Sequence, residues 1–473
     1  MLKRTLSLVL CLLMVLGLTA CSITTGGEDG SEYYVESFIT ETVSKEDTDT
    51  DKDTSSKKDT SSKKDTSSKV TQPGNVVDNK ETAGRFDVDY SGKTVKLLLW
   101  YTPEPWEQQI YDEYEKQTGA KIKYIPVAES NLIFQKLTAL IAANDAPDAT
   151  MFDANNYFPS FITKRLAQPL TKYIDKSKDT WLAYDLMDAC KYDGEYYGVT
   201  DYFWGDTKFV YFNKKIFGSS TKVKKTPLDY YNEGKWTWDA FYELAEALTV
   251  KDKSGNVTQW GAKYDGYGAF SLSAGASVIK PNNGTFTNTI NSKEMKDSYE
   301  FVKKLNKNNY MTKDQGSWTG GNIAMCIAPQ YAVRVDKYEG WKNAKFEWDW
   351  VPFPSYTGGT SYQPIGVQLG IVPRKAKNPE LGYSLVNWRA YYQANMKAIS
   401  QSNKAWVERW KKAVTGKTYF SVEPDIIGNQ VWTLYAELSD PSKSLENSIK
   451  SWTTVVDGTI RDYEKEKKSF SFK

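Results

Sequence analysis

Aromatic and acidic side chains recur together in several short stretches of this sequence. Aromatic residues make up 14% of the chain, including 16 tryptophans and 32 tyrosines. Tyrosine and tryptophan combine an apolar ring face with a polar tip, and a carboxylate can accept charge-assisted hydrogen bonds from two hydroxyls. Sugars need that combination, because their C–H faces pack on rings while their hydroxyls form hydrogen bonds. The residues singled out on this ground are Trp100, Trp106, Asp153, Asn155, Trp204, Asp206, Trp260 and Tyr264.

Each of these candidates also has a purely structural explanation. Asp153 is the best polar candidate, yet it could equally cap the helix that follows it. Trp260 and Tyr264 lie close to glycines, which indicates a loop that approaches another group closely. Packing in the core is the alternative for both rings.

The sequence contains no histidine, and this excludes whole classes of chemistry. Ser-His-Asp and Cys-His catalysis and histidine-ligated zinc all require an imidazole. The four cysteines are Cys11, Cys21, Cys190 and Cys326, too few for a disulfide scaffold or a Cys₄ metal site. We therefore expect no metal, no cofactor and no catalysis that depends on histidine. Cys190 and Cys326 are predicted to be buried free thiols, with one disulfide between them as the alternative.

Alternating strand and helix signals position the first group of candidates. Thr94 to Leu99 reads as a buried strand, Trp106 to Lys116 as a helix and Lys121 to Val127 as the next strand. A helical pattern from Leu132 and a strand at Ala149 to Phe152 follow. This order predicts a parallel sheet, in which ligands bind beyond the carboxyl ends of the strands. The loops Trp100 to Trp106 and Asp153 to Asn156 should therefore meet at one cleft.

Two later segments carry clear local signals. Asp193-Gly194 should form a tight turn between residues 192 and 199. Thr237 is predicted to cap a helix whose apolar face comprises Phe241, Leu244, Ala245 and Leu248.

The N-terminus carries an export signal. Lys3 and Arg4 precede an apolar run from Thr5 to Leu18, which is shorter than the roughly 20 residues that span a membrane. Leu18-Thr19-Ala20-Cys21 resembles the lipobox of bacterial lipoproteins, which implies a lipid on Cys21 after cleavage. An ordinary secretory signal with an incidental cysteine is the alternative.

The segment after Cys21 is predicted to be a disordered tether. Residues 22–92 are poor in apolar side chains and contain the repeat Asp53-Thr54-Ser55-Ser56-Lys57-Lys58, a composition that cannot offset the entropy of ordering. About 380 residues remain, enough for two domains. The formal charge is only +2 and the charges are interleaved, so we expect no nucleic-acid partner. No further membrane span is visible after residue 18.

The folded part resembles the family 1 extracellular solute-binding proteins, the substrate receptors of bacterial ABC sugar importers. The segments that carry the resemblance are Leu97 to Trp100, Ala146-Pro147-Asp148, Tyr192 to Val199, Val210 to Lys214, Trp236 to Asp239, Gly320 to Met325, and Val351 to Pro354 with Gly366. The resemblance implies an α/β, two-lobed periplasmic-binding-protein-like (type II) fold with hinge-connected lobes. The implied boundaries are 93–205 plus 364–420 for the first lobe, 206–363 for the second and 421–473 for C-terminal helices that pack on the lobes.

The resemblance also bears on the remaining candidates. It implies that Tyr331 occupies the position of an aromatic residue that faces the ligand in the family. Arg334 lies nearby in the sequence, although a surface ion pair would explain this arginine equally well. Trp204 and Asp206 fall where the chain should pass between the lobes. Phe209 to Asn213 and Tyr362 to Leu369 are the predicted crossing segments. No motif can be assigned after Lys404.

These observations predict a monomeric, lipid-anchored receptor on the outer face of the cell membrane, with a Gram-positive cell as the expected setting. It would capture a carbohydrate, most simply an oligosaccharide, and deliver it to the transmembrane subunits of an ABC permease, with the lipid as its only membrane attachment. Two alternatives stay open. One is a receptor for a peptide or another non-sugar solute on the same fold. The other is a surface glycosidase that uses Asp153 and Asp206 as paired carboxylates.

Overall fold

The computed structural model of the protein describes residues 81–103, 105–203, 207–264, 268–313, 315–330, 344–394 and 404–469. Within these ranges the strands are β1 (Thr94–Leu99), β2 (Lys121–Pro126), β3 (Ala149–Asp153), β4 (Lys208–Asn213), β5 (Val250–Lys251), β6 (Val257–Tyr264), β7 (Ile279–Asn282), β8 (Thr285–Asn288), β9 (Met311–Thr312), β10 (Ile323–Pro329), β11 (Trp348–Val351), β12 (Gln363–Pro364), β13 (Gln368–Ile371) and β14 (Thr418–Tyr419).

The helices of the same ranges are α1 (Pro105–Thr118), α2 (Ile133–Ala142), α3 (Ala154–Tyr157), α4 (Ser160–Thr163), α5 (Tyr184–Ala189), α6 (Lys214–Ser219), α7 (Pro227–Asn232), α8 (Trp238–Leu248), α9 (Ala269–Ser273), α10 (Lys293–Lys307), α11 (Pro379–Ala394), α12 (Lys404–Val414), α13 (Glu423–Ile427), α14 (Gln430–Ser439) and α15 (Leu445–Ser469). Two short 3₁₀ turns lie at Ser130–Leu132 and Thr171–Tyr173.

The first sheet has the strand order β13-β3-β1-β2. β1 is parallel to both β2 and β3, as the alternation of strands and helices predicted, while β13 runs antiparallel to β3. Leu98 and Phe152 face one apolar core and Leu97 and Met151 face another. Because apolar side chains cover both faces, the strands read as nearly continuous apolar runs.

The predicted elements of this sheet agree with the structure to within two residues at their ends. β1 has the predicted bounds. α1 begins one residue earlier than predicted, at Pro105, because proline is well suited to the first turn of a helix. It ends before Gly119, whose positive φ of 73° reverses the chain. β3 extends one residue further than predicted and thereby includes Asp153.

The second sheet has the strand order β11-β4-β10-β6-β5, with β9 beside β6. β4 lies between β10 and β11 and is antiparallel to both, whereas β10 and β6 are parallel. The prediction that Phe209 to Asn213 crosses between lobes is therefore wrong, because these residues form an internal strand of this sheet. The resemblance had implied a crossing here, whereas the apolar run itself reflects burial on both faces of β4.

Helix α8 packs on β6 as its sequence indicated. The Thr237 side chain accepts a hydrogen bond from the Ala240 N–H and caps the helix, and all four predicted apolar positions are buried. A Cβ placed on Gly261 would lie 1.9 Å from the Ala245 carbonyl oxygen. Gly261 therefore lets β6 and α8 approach each other closely. The close approach predicted from this glycine is thus a contact between two elements of the fold and not a contact with a ligand.

The chain returns from the second sheet to the first through residues 352–367. Within this return β12 pairs with β14, and the segment ends at β13. Tyr362 to Leu369 thus includes a stretch that connects the two sheets. The last three helices then pack on separate parts of the fold: α13 on α3, α14 on α10, and α15 on β8. The lobe boundaries given above stay a prediction. The predicted end of the disordered tether at residue 92 is wrong: Phe86 is 1% exposed in an apolar core beside the first sheet, and Arg85 pairs with Asp179 at 2.7 Å, so residues 81–92 belong to the fold.

Two further sequence-based predictions have an outcome here. Asp193 and Gly194 both have positive φ, and Tyr192 bridges to Glu195, so the tight turn is confirmed. Cys190 and Cys326 are both buried thiols and form no disulfide with each other, which confirms the thiol interpretation. Among the described residues, no helix is both long and apolar enough to cross a membrane.

Candidate functional site

A cleft of about 180 Å³ lies where the first sheet, the second sheet and the C-terminal helices meet. Its walls come from the end of β3 and helix α3, from the start of β4 and helix α9, from the return segment before β13, and from α13 and α14. The described lining residues are Asp153, Asn155, Asn156, Lys208, Gly268, Ala269, Ser271, Leu272, Pro364, Ile365, Gly366, Ser421, Pro424, Trp432 and Tyr435.

Asp153 occupies the carboxyl end of β3, where the strand order predicted it. Its carboxylate accepts hydrogen bonds from the Asn155 backbone N–H at 3.0 Å and from the Asn156 side-chain amide at 2.7 Å. It is therefore the N-cap of α3, the structural role weighed for it, and it also lines the cleft. The two roles are compatible, because the capping bonds fix the carboxylate at the cleft wall.

Asn155 links this wall to the return segment. Its side-chain oxygen accepts a hydrogen bond from the Val367 N–H at 3.3 Å, and the Ala154 N–H donates to the Val367 carbonyl at 2.7 Å. Both predicted polar candidates of the first sheet therefore line the cleft in a fixed geometry, as a site for hydroxyl groups requires.

Charge in the cleft is balanced. Among the described lining residues Asp153 is the single acidic side chain and Lys208 the single basic one. Lys208 begins β4, and its carbonyl accepts a hydrogen bond from the Gln363 side chain at 2.6 Å. This bond ties the second sheet to the return segment at the base of the cleft.

Trp432 is the large ring at the rim of the cleft, and sequence reasoning missed it. It is 52% exposed, and its ring centroid lies 6.2 Å from that of Tyr435 with the planes at 69°. The buried face of α14 is formed by Val431, Leu434, Tyr435 and Leu438. An aromatic residue displaced from such an apolar stripe was the signal that could have identified Trp432.

Two carboxylates are buried directly behind the cleft, on α13. Glu423 accepts a hydrogen bond from the Val278 N–H at 2.5 Å, and Asp425 accepts one from the Ser160 N–H at 2.7 Å. Burial raises the pKa of Glu423 and raises the pKa of Asp425 to about 6. Ser160 begins α4, so Asp425 joins the C-terminal helices to the first sheet's side of the cleft.

Asp425 should make the stability of the protein depend on pH. Its folded pKa of about 6 lies above the value of about 3.9 for an unfolded aspartate, so its contribution is complete below about pH 4 and is lost as the pH rises through 6. Asp425→Asn removes this titration while keeping an acceptor for Ser160. Relative to the variant, the wild type should lose about 2 kcal/mol of unfolding free energy between pH 4 and pH 7.

Urea unfolding of both proteins at pH 4, 5, 6 and 7 measures this difference. Comparison with the variant cancels the contributions of the other carboxylates. A difference in unfolding free energy that stays constant over this range would contradict the burial argument for Asp425.

The structure places three predicted aromatic candidates away from the cleft. Trp100 is half-buried and packs edge-on against Tyr101, with ring centroids 4.8 Å apart, and it does not line the cleft. Trp260 and Tyr264 are each 7% exposed and belong to apolar clusters on the second sheet. Core packing, the alternative for Trp260 and Tyr264, is the correct description, because each ring is buried among apolar side chains of the second sheet's clusters.

The other candidates cannot be placed. Trp204, Asp206, Tyr331, Arg334 and Cys21 lie outside the described residues, and so does the side chain of Trp106, although its backbone belongs to α1. The proposed pairing of Asp153 with Asp206 is therefore untested. Within the described ranges, no three His, Cys, Asp or Glu side chains are grouped as a metal site would require.

Comparison with known proteins identifies a family. Residues 100–390 match the bacterial extracellular solute-binding proteins. The polygalacturonan/rhamnogalacturonan-binding protein YtcQ of Bacillus subtilis is 26% identical over 255 residues, which cover 50% of this chain and 48% of that protein. The diacetylchitobiose-binding protein DasA of Streptomyces coelicolor is 21% identical over 234 residues, 49% of this chain and 51% of its own. The chain thus spans about half the length of the curated relatives it matches.

Solved structures share the fold. An ABC substrate-binding protein of Listeria monocytogenes in complex with cycloalternan superimposes with a TM-score of 0.58 at 19% identity, covering 78% of this chain and 99% of that one. The sugar-binding protein MalE of Xanthomonas citri gives a TM-score of 0.61 at 14% identity, covering 79% and 98%. At such identities the likeness establishes the fold alone, and it confirms the predicted two-lobed α/β class.

Proposed function

Because the chain belongs to the bacterial extracellular solute-binding proteins, we propose that it captures a carbohydrate in the cleft between its lobes and delivers it to the permease of an ABC importer. The observation that carries the proposal is the exposed ring of Trp432 in the same cleft as the fixed carboxylate of Asp153. The names of the two curated relatives, which describe binding of polygalacturonan or rhamnogalacturonan and of diacetylchitobiose, support the choice of ligand class.

The binding mechanism follows from the cleft walls. The C–H face of a sugar ring packs on Trp432, and its hydroxyls donate to Asp153 and exchange hydrogen bonds with the amide of Asn156. Because the cleft lies between two sheets joined by a return segment, closure of the lobes would exclude water and strengthen these bonds. No bond of the ligand is broken, and no catalytic residue is needed.

Anchoring and location form the other part of the proposal. Cys21 would carry the lipid, and residues 22–80 would hold the binding lobes away from the outer face of the membrane. Cys21→Ser should shift the expressed protein from the membrane fraction to the medium. Retention of the variant in the membrane fraction would contradict the anchor.

A ligand screen tests the proposed function. Neutral and acidic oligosaccharides are compared with short peptides by thermal shift, since a ligand at a hundred times its dissociation constant should stabilise the protein by about 2.7 kcal/mol. Stabilisation by an oligosaccharide supports the proposal, whereas stabilisation by peptides alone would replace it. New reducing ends after incubation with glycans would indicate a hydrolase instead.

Asp153→Asn separates the two roles of Asp153. Asparagine caps helices about as well as aspartate, so the melting temperature should be nearly unchanged. The charge of the acceptor is lost, and affinity for the oligosaccharide found in the screen should fall about tenfold, because hydrogen bonds to charged groups contribute roughly 1.5 to 3 kcal/mol. Calorimetric titration measures the effect. Unchanged affinity would restrict Asp153 to its capping role.

A further inference from the structure

A second cavity, of about 500 Å³, opens on the second sheet at the end remote from the cleft. β4 connects the two places: Lys208 at its start lines the cleft and Asn213 at its end lines the second cavity. Five residue steps along a strand span roughly 17 Å, so the second cavity is separate from the cleft. Its volume falls within the range of small-molecule pockets.

The second cavity is positively charged. Lys215 and Lys345 line it, both are exposed, and neither forms an ion pair with any described residue. The neighbouring Lys214 instead pairs with Glu347 at 2.7 Å. No Asp or Glu occurs among the cavity's described lining residues. Two cations without a counter-charge in one concave surface favour an anionic ligand.

A buried polar group with unused hydrogen-bonding capacity lies at the same cavity. The Asn213 side-chain oxygen accepts from the N–H groups of Lys215 at 3.0 Å and Ile216 at 3.3 Å. Its amide nitrogen is buried and has no hydrogen-bond partner within the described part of the chain. A buried donor without an acceptor is unfavourable, and an oxygen of a ligand seated against Asn213 would supply one.

The remaining walls suit a sugar ring. Gln259 and Thr319 contribute an amide and a hydroxyl, and Phe346 contributes an aromatic ring. Phe346 is held in place by an edge-on contact with Trp318, with ring centroids 5.2 Å apart and the planes at 80°. A ring for C–H groups, neutral polar groups for hydroxyls and two lysines for an anion therefore converge on one cavity.

We propose that this second cavity is a binding site for an anionic saccharide, whose charge is carried by a carboxylate or a phosphate. Lys215 and Lys345 bind the anion, Asn213, Gln259 and Thr319 bind hydroxyls, and Phe346 packs against the sugar ring. The site goes beyond the proposed transport function, because it is separated from the cleft by the length of β4 and offers different chemistry.

Calorimetric titration of the full chain tests the site with four probes: digalacturonate as the carboxylate, galactose 6-phosphate as the phosphate, galactobiose as the neutral control, and inorganic phosphate as the anion without a sugar. The background variant Trp432→Ala/Asp153→Asn impairs the cleft. In that background at least one acidic probe should still bind. Adding Lys215→Gln and Lys345→Gln should weaken its binding at least about tenfold, whereas Lys214→Gln, the paired neighbour, should change it less than about twofold.

The outcomes separate this site from the cleft. Loss of acidic-probe binding in the cleft background, or equal binding of galactobiose, would overturn the proposal. Equal binding of inorganic phosphate and galactose 6-phosphate would also overturn it, because the saccharide would then make no contribution. If only the proposed function is wrong, the cleft substitutions change the affinity for no oligosaccharide, while the binding that depends on Lys215 and Lys345 persists.

Discussion

Replacing Trp432 by alanine is expected to weaken oligosaccharide binding about thirtyfold and to leave the free energy of unfolding nearly unchanged. The ring is 52% exposed in the absence of ligand and becomes covered when a sugar packs on it. Covering a large apolar side chain contributes roughly 2 kcal/mol, which corresponds to about thirtyfold in affinity. Because α14 is held by its opposite face, truncation of an exposed ring should cost the fold little.

Calorimetric titration and urea unfolding measure the two quantities in parallel. Trp432→Phe is the matched control: it keeps a ring at the cleft rim and should retain most of the affinity. If Trp432→Ala binds within about twofold of the wild type, the ring is not a sugar platform. If both substitutions abolish binding together with a large loss of stability, Trp432 supports the cleft only indirectly.

Arg389→Met is expected to cause the largest loss of stability, about 3 to 5 kcal/mol. Arg389 and Glu107 form an ion pair at 3.0 Å, with side chains only 4% and 1% exposed. The hydroxyls of Tyr101 and Tyr111 donate to the same carboxylate at 2.6 Å and 3.0 Å. Burial, followed by the charge of Glu107, raises the pKa of both hydroxyls well above their usual range. Removing the guanidinium leaves a carboxylate without its counter-ion inside the core.

A second variant distinguishes a lost ion pair from a general packing defect. Arg389→Met combined with Glu107→Gln removes both charges and should recover much of the stability, because a buried pair replaced as a whole often costs little. Urea unfolding followed by circular dichroism measures all three proteins. Equal destabilisation of the single and double variants would show that packing, and not the unpaired charge, sets the cost.

The first sheet could be predicted because the sequence patterns of its strands and helices lie within one short stretch of the chain. Residues 94–153 alternate strand and helix patterns at ordinary spacing, and the parallel pairing of β1 with β2 and β3 follows from that order. The position of Asp153 at a strand end and in the cleft followed in turn. The caps at Thr237 and the turn at Asp193 were equally local, since each depends on a few neighbouring residues.

Other features depend on distant parts of the chain and could not be read locally. An apolar strand such as β4 does not reveal which sheet it joins, and the family resemblance alone wrongly indicated that it crosses between lobes. The aromatic residues of β6 resemble ligand-binding residues until helix α8 is placed over Gly261. The sequence shows only that Trp432 lies off the apolar stripe of α14, and its place in the cleft depends on the packing of α14 near the end of β3.

The antiparallel strand β13 has a consequence for the order of events during synthesis. Its partner is β3, yet about 200 residues of the chain, including all of the second sheet, separate the two. When synthesis has reached residue 367, the apolar strands of both sheets except β13 have already been made. The edge of β3 that pairs with β13 is then still unpaired. The first sheet therefore cannot complete its folding before the second sheet has been synthesised. A chain truncated within the second sheet should leave the edge of β3 unpaired and the protein prone to self-association.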